Sequence, residues 1–207
     1  DACKTAIDVC EAAGHELYVF PPPLFNLTDT TIRQMSIRNA VCERWNSEQV
    51  WANPNSTAAF LQTVAMGRIT AAVSTNTQAR SQLCAPLKMA ELFYSKNGVP
   101  ITEDKTLDFS NKYEVKTVEH EDRFNLIEGY QTARLNFDRE PRFYADLCFD
   151  GGVWYMYNSP TGTDSGTFVM QAKATQYGGN NIQGYYNETG YFIKKLVDWN
   201  FAFTSSG

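Results

Sequence analysis

Histidine is scarce in this sequence, and long apolar runs are missing. The 207 residues include two histidines, His15 and His120, and neither stands at metal-ligand spacing from a second histidine or a cysteine. No stretch approaches the roughly 18 consecutive apolar residues that a membrane-spanning helix needs. The sequence therefore predicts neither a metal nor another cofactor, and it gives no sign of a transmembrane helix.

Cysteine pairs with the spacing of disulfides or metal sites are missing as well. The five cysteines are odd in number and form no CxxC motif. Cys3 and Cys10 lie seven residues apart, which in a helix is roughly 10 Å and beyond the reach of a disulfide. We interpret the cysteines as small buried hydrophobic side chains.

Basic residues are outnumbered, and low-complexity tracts are absent. The chain has 18 Lys and Arg against 23 Asp and Glu, which gives a net charge of −5. This balance argues against nucleic acid as a partner, because phosphate binding needs a positive patch. A content of 43% hydrophobic and 20% charged residues excludes a disordered tail, a collagen and a coiled coil.

The chain divides into two parts of unlike composition. Six aromatic residues lie before residue 91 and twenty-two after it, together with eleven of the thirteen glycines. In the first part, apolar spacings and capping residues predict four helices. They run from Ala2 to a cap at Gly14, from Thr28 or Asp29 to about Trp45, onward from a cap at Ser56 or Thr57, and from Pro86 to a stop at Asn97 and Gly98. Because the helical spacing starts at the first residues, we expect the chain to be an internal fragment of a longer protein.

The second part contains the clearest strand pattern. Residues 143–149 alternate in polarity with a period of two, which predicts a half-buried strand. Residues 150–152, Asp-Gly-Gly, predict a tight turn, and residues 153–157 return as the partner strand. We therefore predict a β-hairpin over 143–157. Upstream of it, a helix face is predicted by the spacing of Leu126, Tyr130, Ala133 and Phe137.

These patterns together predict a mainly α to α+β fold. Residues 1–97 form a helical part that suits an array of helical hairpins, although no repeat of fixed period is visible. Residues 98–207 form a mixed, loop-rich part with the hairpin 143–157. We expect both to be parts of one larger domain.

Aromatic side chains of the predicted hairpin are the first candidates for binding a ligand. A pyranose ring packs its C–H groups on an aromatic face, while amide and carboxylate groups bind its hydroxyls. The candidate ligand-binding residues are Trp154, Tyr155, Tyr157, Tyr144 and Asn158. Because aromatic residues also pack well in strands, a place in the core is the alternative for each of them. A second candidate group, in a polar loop, comprises Tyr177, Asn180, Asn181, Gln183, Tyr185 and Tyr186.

Carboxylates in the same region raise the alternative of glycoside hydrolysis, which needs two of them roughly 5–10 Å apart. Asp146 and Asp150 lie on or beside the predicted hairpin, and Glu140 is close in sequence. Glu140 stands among arginines, so a structural ion pair is the simpler interpretation. There is no GxSxG motif, and neither histidine lies in a triad context. The sequence favours a protein that is not an enzyme.

Three segments resemble motifs of a known family. Residues 91–101 (ELFYSKNGVPI) are similar to an aromatic stretch followed by (D/N)G-x-P-I. Residues 138–145 (DREPRFYA) resemble N-R-(D/E)-P-R-F-Y-A, and residues 190–195 (GYFIKK) resemble G-Y-x-x-(R/K)-K. The three segments occur in the order found in the SusD/RagB-like proteins, which are nutrient-binding surface lipoproteins of the Bacteroidetes outer membrane.

This resemblance implies a binding protein with tetratricopeptide-like helices in its first part. Members of the family are held by a lipidated N-terminal cysteine and lie as a lid on a TonB-dependent, SusC-like transporter in the outer membrane. The implied function is capture of an oligosaccharide or other nutrient at the cell surface and its delivery to that transporter. The lipid-anchor motif is not among these 207 residues. An alternative is a scaffold whose helical part docks the transporter, with no ligand contact in this fragment.

Overall fold

The structure, a computed structural model, describes residues 1–21, 26–53, 59–69, 79–159, 161, 163–179 and 187–201. Its α helices are α1 (Ala2–Ala12), α2 (Asp29–Asn39), α3 (Ala59–Ala65), α4 (Leu87–Leu92) and α5 (Pro141–Asp146). Its strands are β1 (Val115–Thr117), β2 (Gln131–Ala133), β3 (Leu147–Phe149), β4 (Val153–Trp154), β5 (Phe168–Val169) and β6 (Tyr191–Ile193). Short 3-10 helices cover His120–Asp122, Arg134–Asn136, Asp164–Gly166 and Lys194–Leu196. In these ranges no helix is long and apolar enough to cross a membrane.

The strands pair in three separate antiparallel ladders. β1 pairs with β2, β3 with β6, and β4 with β5. The second ladder places Leu147 opposite Ile193, and the third places Val153 opposite Val169. Small ladders among short helices make a mixed α+β architecture, which confirms that part of the predicted fold class. A tetratricopeptide-like arrangement of the helices stays a prediction.

Capping residues read from the sequence mark the starts of two described helices, α2 and α4. Thr28 is the N-cap of α2, and its hydroxyl accepts a hydrogen bond from the N–H of Thr31. Pro86 occupies the N-cap position of α4. After α1, Gly14 adopts a φ of +86°, the left-handed conformation expected of a residue that ends a helix. The predicted caps of α3, Ser56 and Thr57, lie outside the described residues.

Helix α2 ends earlier than predicted. It stops at Asn39 and does not continue to Trp45. The side-chain amide of Asn46 donates hydrogen bonds to the carbonyl oxygens of Ala40 and Glu43, at 2.9 and 2.8 Å. These bonds satisfy carbonyl groups at the end of the helix, so the chain turns there.

The predicted hairpin over 143–157 is wrong. The first residues of the predicted strand belong to helix α5, which has Pro141 in its first turn. Only Leu147–Phe149, which form β3, are a strand. The tight turn is present, since the N–H of Gly152 donates to the carbonyl of Phe149 at 2.8 Å and Gly151 has a φ of +84°. The strands beside the turn do not pair with each other, because β3 pairs with β6 and β4 pairs with β5.

The helix predicted from Leu126 to Phe137 is also wrong. This segment contains β2 and a 3-10 helix. Leu126 and Phe137 are nevertheless buried. The apolar pattern therefore identified core positions but not the secondary structure that carries them.

Three groups of buried side chains form the core. The largest lies around α5 and β3 and includes Leu135, Phe143 and Phe149. A second surrounds Trp154 and includes Met156, Met170 and Phe192. A third, smaller group consists of Tyr18, Phe20, Met35 and Tyr155. Helix α1 contributes no buried residue. All five cysteines are free, but Cys148 alone is fully buried, so our interpretation of them as buried side chains is correct only there.

Candidate functional site

The five candidate ligand-binding residues separate into two environments. Trp154, Tyr144 and Tyr155 are buried, whereas Tyr157 and Asn158 are exposed. The exposed fraction is 57% for Tyr157 and 0% for Trp154. Residues 153–156 are all buried, so neither face of this segment alternates toward solvent as a half-buried strand would.

Trp154 belongs to the second core group. The guanidinium of Arg38 lies 5.9 Å from the centre of its ring, on the side of α2. Gly67 approaches it closely as well, since a Cβ at that position would lie 3.1 Å from its ring. In this structure Trp154 offers no ring face to solvent.

Tyr144 is held by the motif that contains it. Its hydroxyl donates to the carbonyl of Asn136 at 3.0 Å and accepts from the N–H of Arg139. Burial raises the pKa of this phenol well above its ordinary value. Its side chain also borders a polar cleft of about 180 Å³ between α2 and α5, beside Arg33 and Asn125. Tyr144 therefore remains a candidate only through this cleft.

The exposed candidate Tyr157 belongs to an aromatic cluster formed by Phe20, Tyr155, Tyr157 and Trp199. The ring of Trp199 is at its centre: it stacks on Tyr155 at 6.2 Å and 13°, and meets Tyr157 edge-on at 5.5 Å and 78°. Phe20 supports it edge-on from the core at 5.0 Å. Trp199 is partly buried and Tyr157 is more than half exposed, so the cluster presents aromatic surface to solvent.

Buried hydrogen bonds fix the two chain segments that carry this cluster. The Arg38 guanidinium donates to the carbonyl of Tyr155 at 2.7 Å and to that of Val197 at 2.8 Å. The N–H of Tyr157 donates to the carbonyl of Trp199 at 2.9 Å. These hydrogen bonds fix the distance between the two backbone segments that carry the aromatic rings.

Exposed polar residues follow the two outer aromatic residues along the chain. Asn158 follows Tyr157 and is exposed, and Asn200 follows Trp199 and is exposed. The carboxylate of Asp198 accepts the N–H of Asn200 at 2.7 Å. Aromatic faces flanked by amides and a carboxylate are the combination that binds sugar rings and their hydroxyls.

Sequence reasoning missed Trp199. Its local signal was a tryptophan between Asp198 and Asn200, two residues that favour exposed loops. Nothing in the sequence places it beside Tyr157, because 42 residues separate the two. The second predicted group is not tested here: Tyr177 is exposed, and Asn180, Asn181, Gln183, Tyr185 and Tyr186 lie outside the described residues.

The three carboxylates weighed for hydrolysis all have protein partners. The predicted ion pair of Glu140 with a guanidinium is present. The pairs are Glu140 with Arg142 (2.6 Å), Asp146 with Lys195 (2.8 Å), and Asp150 with the hydroxyl of Tyr130 (2.7 Å). In the part of the chain that the structure describes, no group of three His, Cys, Asp or Glu side chains is placed to hold a metal ion.

Comparisons with known proteins identify one family. The model of the SusD family matches residues 40–207. The solved structure of BT4246 is similar, with a TM-score of 0.67 and 22% identity over 95% of this chain and 34% of that one. A selenomethionine BT4246 structure gives a TM-score of 0.59 and 20% identity over 97% of this chain and 38% of that one. No curated protein matches. The chain thus spans little more than a third of the solved structures that share its fold.

Proposed function

The chain belongs to the SusD family, and on that basis we propose that it takes part in the non-catalytic capture of a glycan at the cell surface. The captured oligosaccharide would pass to a TonB-dependent, SusC-like transporter in the outer membrane. The protein would be a lipoprotein on the outer face of that membrane. Another nutrient with sugar-like hydroxyls is compatible with the same surface.

The observation that supports this proposal is the aromatic cluster at the surface. Tyr157 is exposed, Trp199 is partly exposed, and Asn158 and Asn200, the next residues along the chain, are exposed as well. Arg38 holds the backbone beneath the rings, so little ordering is needed when a ligand binds. We propose Tyr157, Trp199 and Asn158 as ligand contacts, with Tyr155 supporting the ring of Trp199.

The hydrogen bonds and ion pairs of the candidate carboxylates favour glycan binding over hydrolysis. A glycosidase needs one carboxyl to donate a proton and a second to act as base or nucleophile. Glu140, Asp146 and Asp150 are each engaged by a cation or a hydroxyl of the protein. We therefore propose that the captured glycan is released intact.

The test is native affinity electrophoresis of the full chain through gels that contain a panel of polysaccharides, followed by an assay for released sugar. Retardation by one polymer without sugar release is the expected result, and the polymer names the substrate class. Sugar release would contradict the non-catalytic proposal. No retardation by any polymer would contradict glycan capture by this chain.

A second candidate function rests on the exposed apolar side chains of the helical part. Leu17, Val19 and Trp51 are 81%, 69% and 83% exposed. Exposed apolar side chains of this size indicate a protein interface where they form one patch. Under this alternative, residues 1–53 dock the transporter. Replacing Trp51 by Ser would then weaken transporter capture and leave glycan retardation unchanged, whereas unchanged capture would contradict docking through this surface.

A further inference from the structure

A groove with apolar walls lies beside helix α1. Its volume is about 290 Å³. Ala6, Ile7 and Cys10 line it from α1, and Leu17 and Val50 line it from later segments of the chain. Ile7, Leu17 and Val50 are 57%, 81% and 66% exposed. The groove therefore leaves large apolar side chains in contact with water.

Hydrogen bonds hold together the two later segments that line the groove. The N–H of Glu16 donates to the carbonyl of Ser47 at 3.2 Å. The N–H of Tyr18 donates to the carboxylate of Glu48 at 3.2 Å. These bonds join the segment that follows α1 to the segment that carries Val50. The groove is formed in the free chain, which lowers the cost of ordering when a partner binds.

Helix α1 has an apolar side that no other part of the described structure buries. None of its 11 residues is buried, and a helix this short gains most of its stability from packing. Ala6 and Cys10, on the side of the groove, are small, so a second helix has room to approach α1 closely. A helical partner would supply the packing that α1 lacks.

Three carboxylates line the same groove, and they belong to Glu11, Glu16 and Glu48. Each of these residues is exposed, and among the described residues none of them forms an ion pair. No lysine or arginine stands among the described residues that line the groove. Apolar walls together with these negative charges are complementary to an apolar surface flanked by cations.

The charge of the groove argues against a second copy of this chain as its occupant. A two-fold contact places the same surface on both subunits. The three glutamates of one copy would then meet those of the other, and like charges brought together across an interface disfavour association.

We propose that this groove docks an amphipathic helix of a partner protein. The apolar face of that helix packs against Ile7, Leu17 and Val50, and the lysines or arginines beside it pair with the three glutamates. At 1.5 Å per residue α1 is about 16 Å long, so a partner helix of similar length covers it. This inference rests on the docking alternative given above, for which it names the groove and the class of partner.

The first test uses the two cysteines of α1 as reporters. Cys10 lines the groove, whereas Cys3 is exposed and lies outside its lining. The probe is a synthetic peptide of about 15 leucine and lysine residues, with the leucines on one helical face. It is added to the full chain before alkylation with iodoacetamide, and mass spectrometry gives the rate for each cysteine.

At a peptide concentration roughly ten times the dissociation constant, alkylation of Cys10 is expected to slow about tenfold, because only unbound chain reacts. Alkylation of Cys3 is expected to keep its rate. An unchanged rate at Cys10, or equal slowing at both cysteines, would overturn the proposal.

An exchange of charge tests the part played by the glutamates. In the chain with Glu11→Lys and Glu16→Lys, the leucine–lysine peptide is expected to bind at least about tenfold more weakly, and a leucine–glutamate peptide of the same pattern is expected to bind. Glu119→Lys with Glu121→Lys is the matched control, since both residues are exposed and lie outside the groove. Equal affinity of the two peptides for the unmodified chain would contradict selection by charge.

Sedimentation of the unmodified chain without peptide tests the other occupant. A monomer is expected, and a dimer that Leu17→Ser abolishes would replace the proposed helix by a second copy. Trp51 is not among the residues that line the groove. Docking of the transporter through Trp51 and docking of a basic helix in the groove are therefore able to fail separately.

Discussion

Two buried arginines, Arg38 and Arg139, donate hydrogen bonds to backbone carbonyls, and within the described ranges neither pairs with a carboxylate. Arg139 donates to the carbonyls of Ala90, Phe93 and Leu135 at 2.7, 2.7 and 2.8 Å. The first two belong to the end of α4, whose last carbonyls have no partner within the helix. Arg139 thus caps the end of α4 and joins it to the 3-10 helix that contains Leu135. Its role here is structural.

Replacing Arg139 by Met should destabilise the chain strongly. At least three buried carbonyls would lose a charged donor, which we expect to cost roughly 3–5 kcal/mol in the free energy of unfolding. Arg142→Met is the matched control in the same motif, because that side chain is 59% exposed and its ion pair is worth less than about 1 kcal/mol. Urea denaturation measures both. Similar losses for the two variants would contradict the assigned role.

The buried ammonium of Lys194 predicts a pH dependence of stability. Its pKa is about 8 in the folded chain against an ordinary 10.5, so between these values the unfolded chain binds more protons. Stability relative to Lys194→Met should therefore rise with pH from about 8 to 10.5, by roughly 3 kcal/mol. Below pH 8 the difference should be flat.

Denaturation of both proteins from pH 7 to 10.5 measures this difference. Using the difference between the two removes the opposite contributions of the buried tyrosines, which both proteins share. A constant difference across the range would show that Lys194 is not buried as a cation.

Individual core positions are largely readable from the sequence, but their roles are not. Leu126, Phe137 and Phe143 are apolar and buried, as their spacing indicates. For Trp154, the local sequence does not distinguish a buried tryptophan from an exposed one that binds a sugar. Arg38 and Gly67, which pack against its ring, belong to distant parts of the chain.

At the scale of elements, the turn between β3 and β4 is the feature most tightly specified by its sequence. Gly151 has a φ of +84°, a conformation that glycine adopts without strain. A Cβ there would lie 2.8 Å from a ring carbon of Tyr130. That ring is held in place, because its hydroxyl bonds to Asp150 and Gln176. The turn therefore needs glycine for two separate reasons.

Comparing Gly151→Ala with Gly98→Ala separates these reasons. Gly98 also has a positive φ, +72°, but a Cβ there would meet nothing within 4 Å. We expect Gly98→Ala to cost about 1 kcal/mol of unfolding free energy from strain alone. Gly151→Ala should cost roughly 1–3 kcal/mol more, through the clash with Tyr130. Equal costs, measured by denaturation, would mean that the ring moves away freely.

Local signals predicted helix starts better than they predicted strand partners. Thr28 and Pro86 mark helix starts through bonds or geometry within a few residues. The pairing of β3 with β6 joins segments more than 40 residues apart. A tight turn alone does not decide strand pairing, since β3 and β4 flank the turn and each pairs with a different strand.

At the scale of the molecule, the core is concentrated after residue 59 and helix α1 stands apart from it. All side chains of this 11-residue helix lie outside the buried set. Helices of fewer than about 12–15 residues are marginal in water without packing. We expect the amides of α1 to exchange with deuterium far faster than those of β3 and β6, by at least a hundredfold. Mass-spectrometric hydrogen exchange of the full chain measures this, and equal protection would contradict it.

The candidate site also belongs to this scale. The sequence supplied Tyr155, Tyr157 and Asn158 as neighbours along the chain. The contact of Tyr157 with Trp199 arises only once β4, α2 and the last 3-10 helix are packed together. Residue spacing does not predict a site built from two distant segments. For that reason the sequence did not indicate Trp199, the central ring of the cluster.

The most direct test of the account is the effect of Tyr157→Ala on glycan binding, measured by calorimetry with the polysaccharide that retards the full chain. Tyr113→Ala is the control, since Tyr113 is 61% exposed and lies outside the cluster. We predict that Tyr157→Ala lowers the affinity roughly five- to tenfold, as expected for loss of one aromatic contact, and that Tyr113→Ala binds normally. Unchanged affinity of a folded Tyr157→Ala variant would contradict binding at the aromatic cluster.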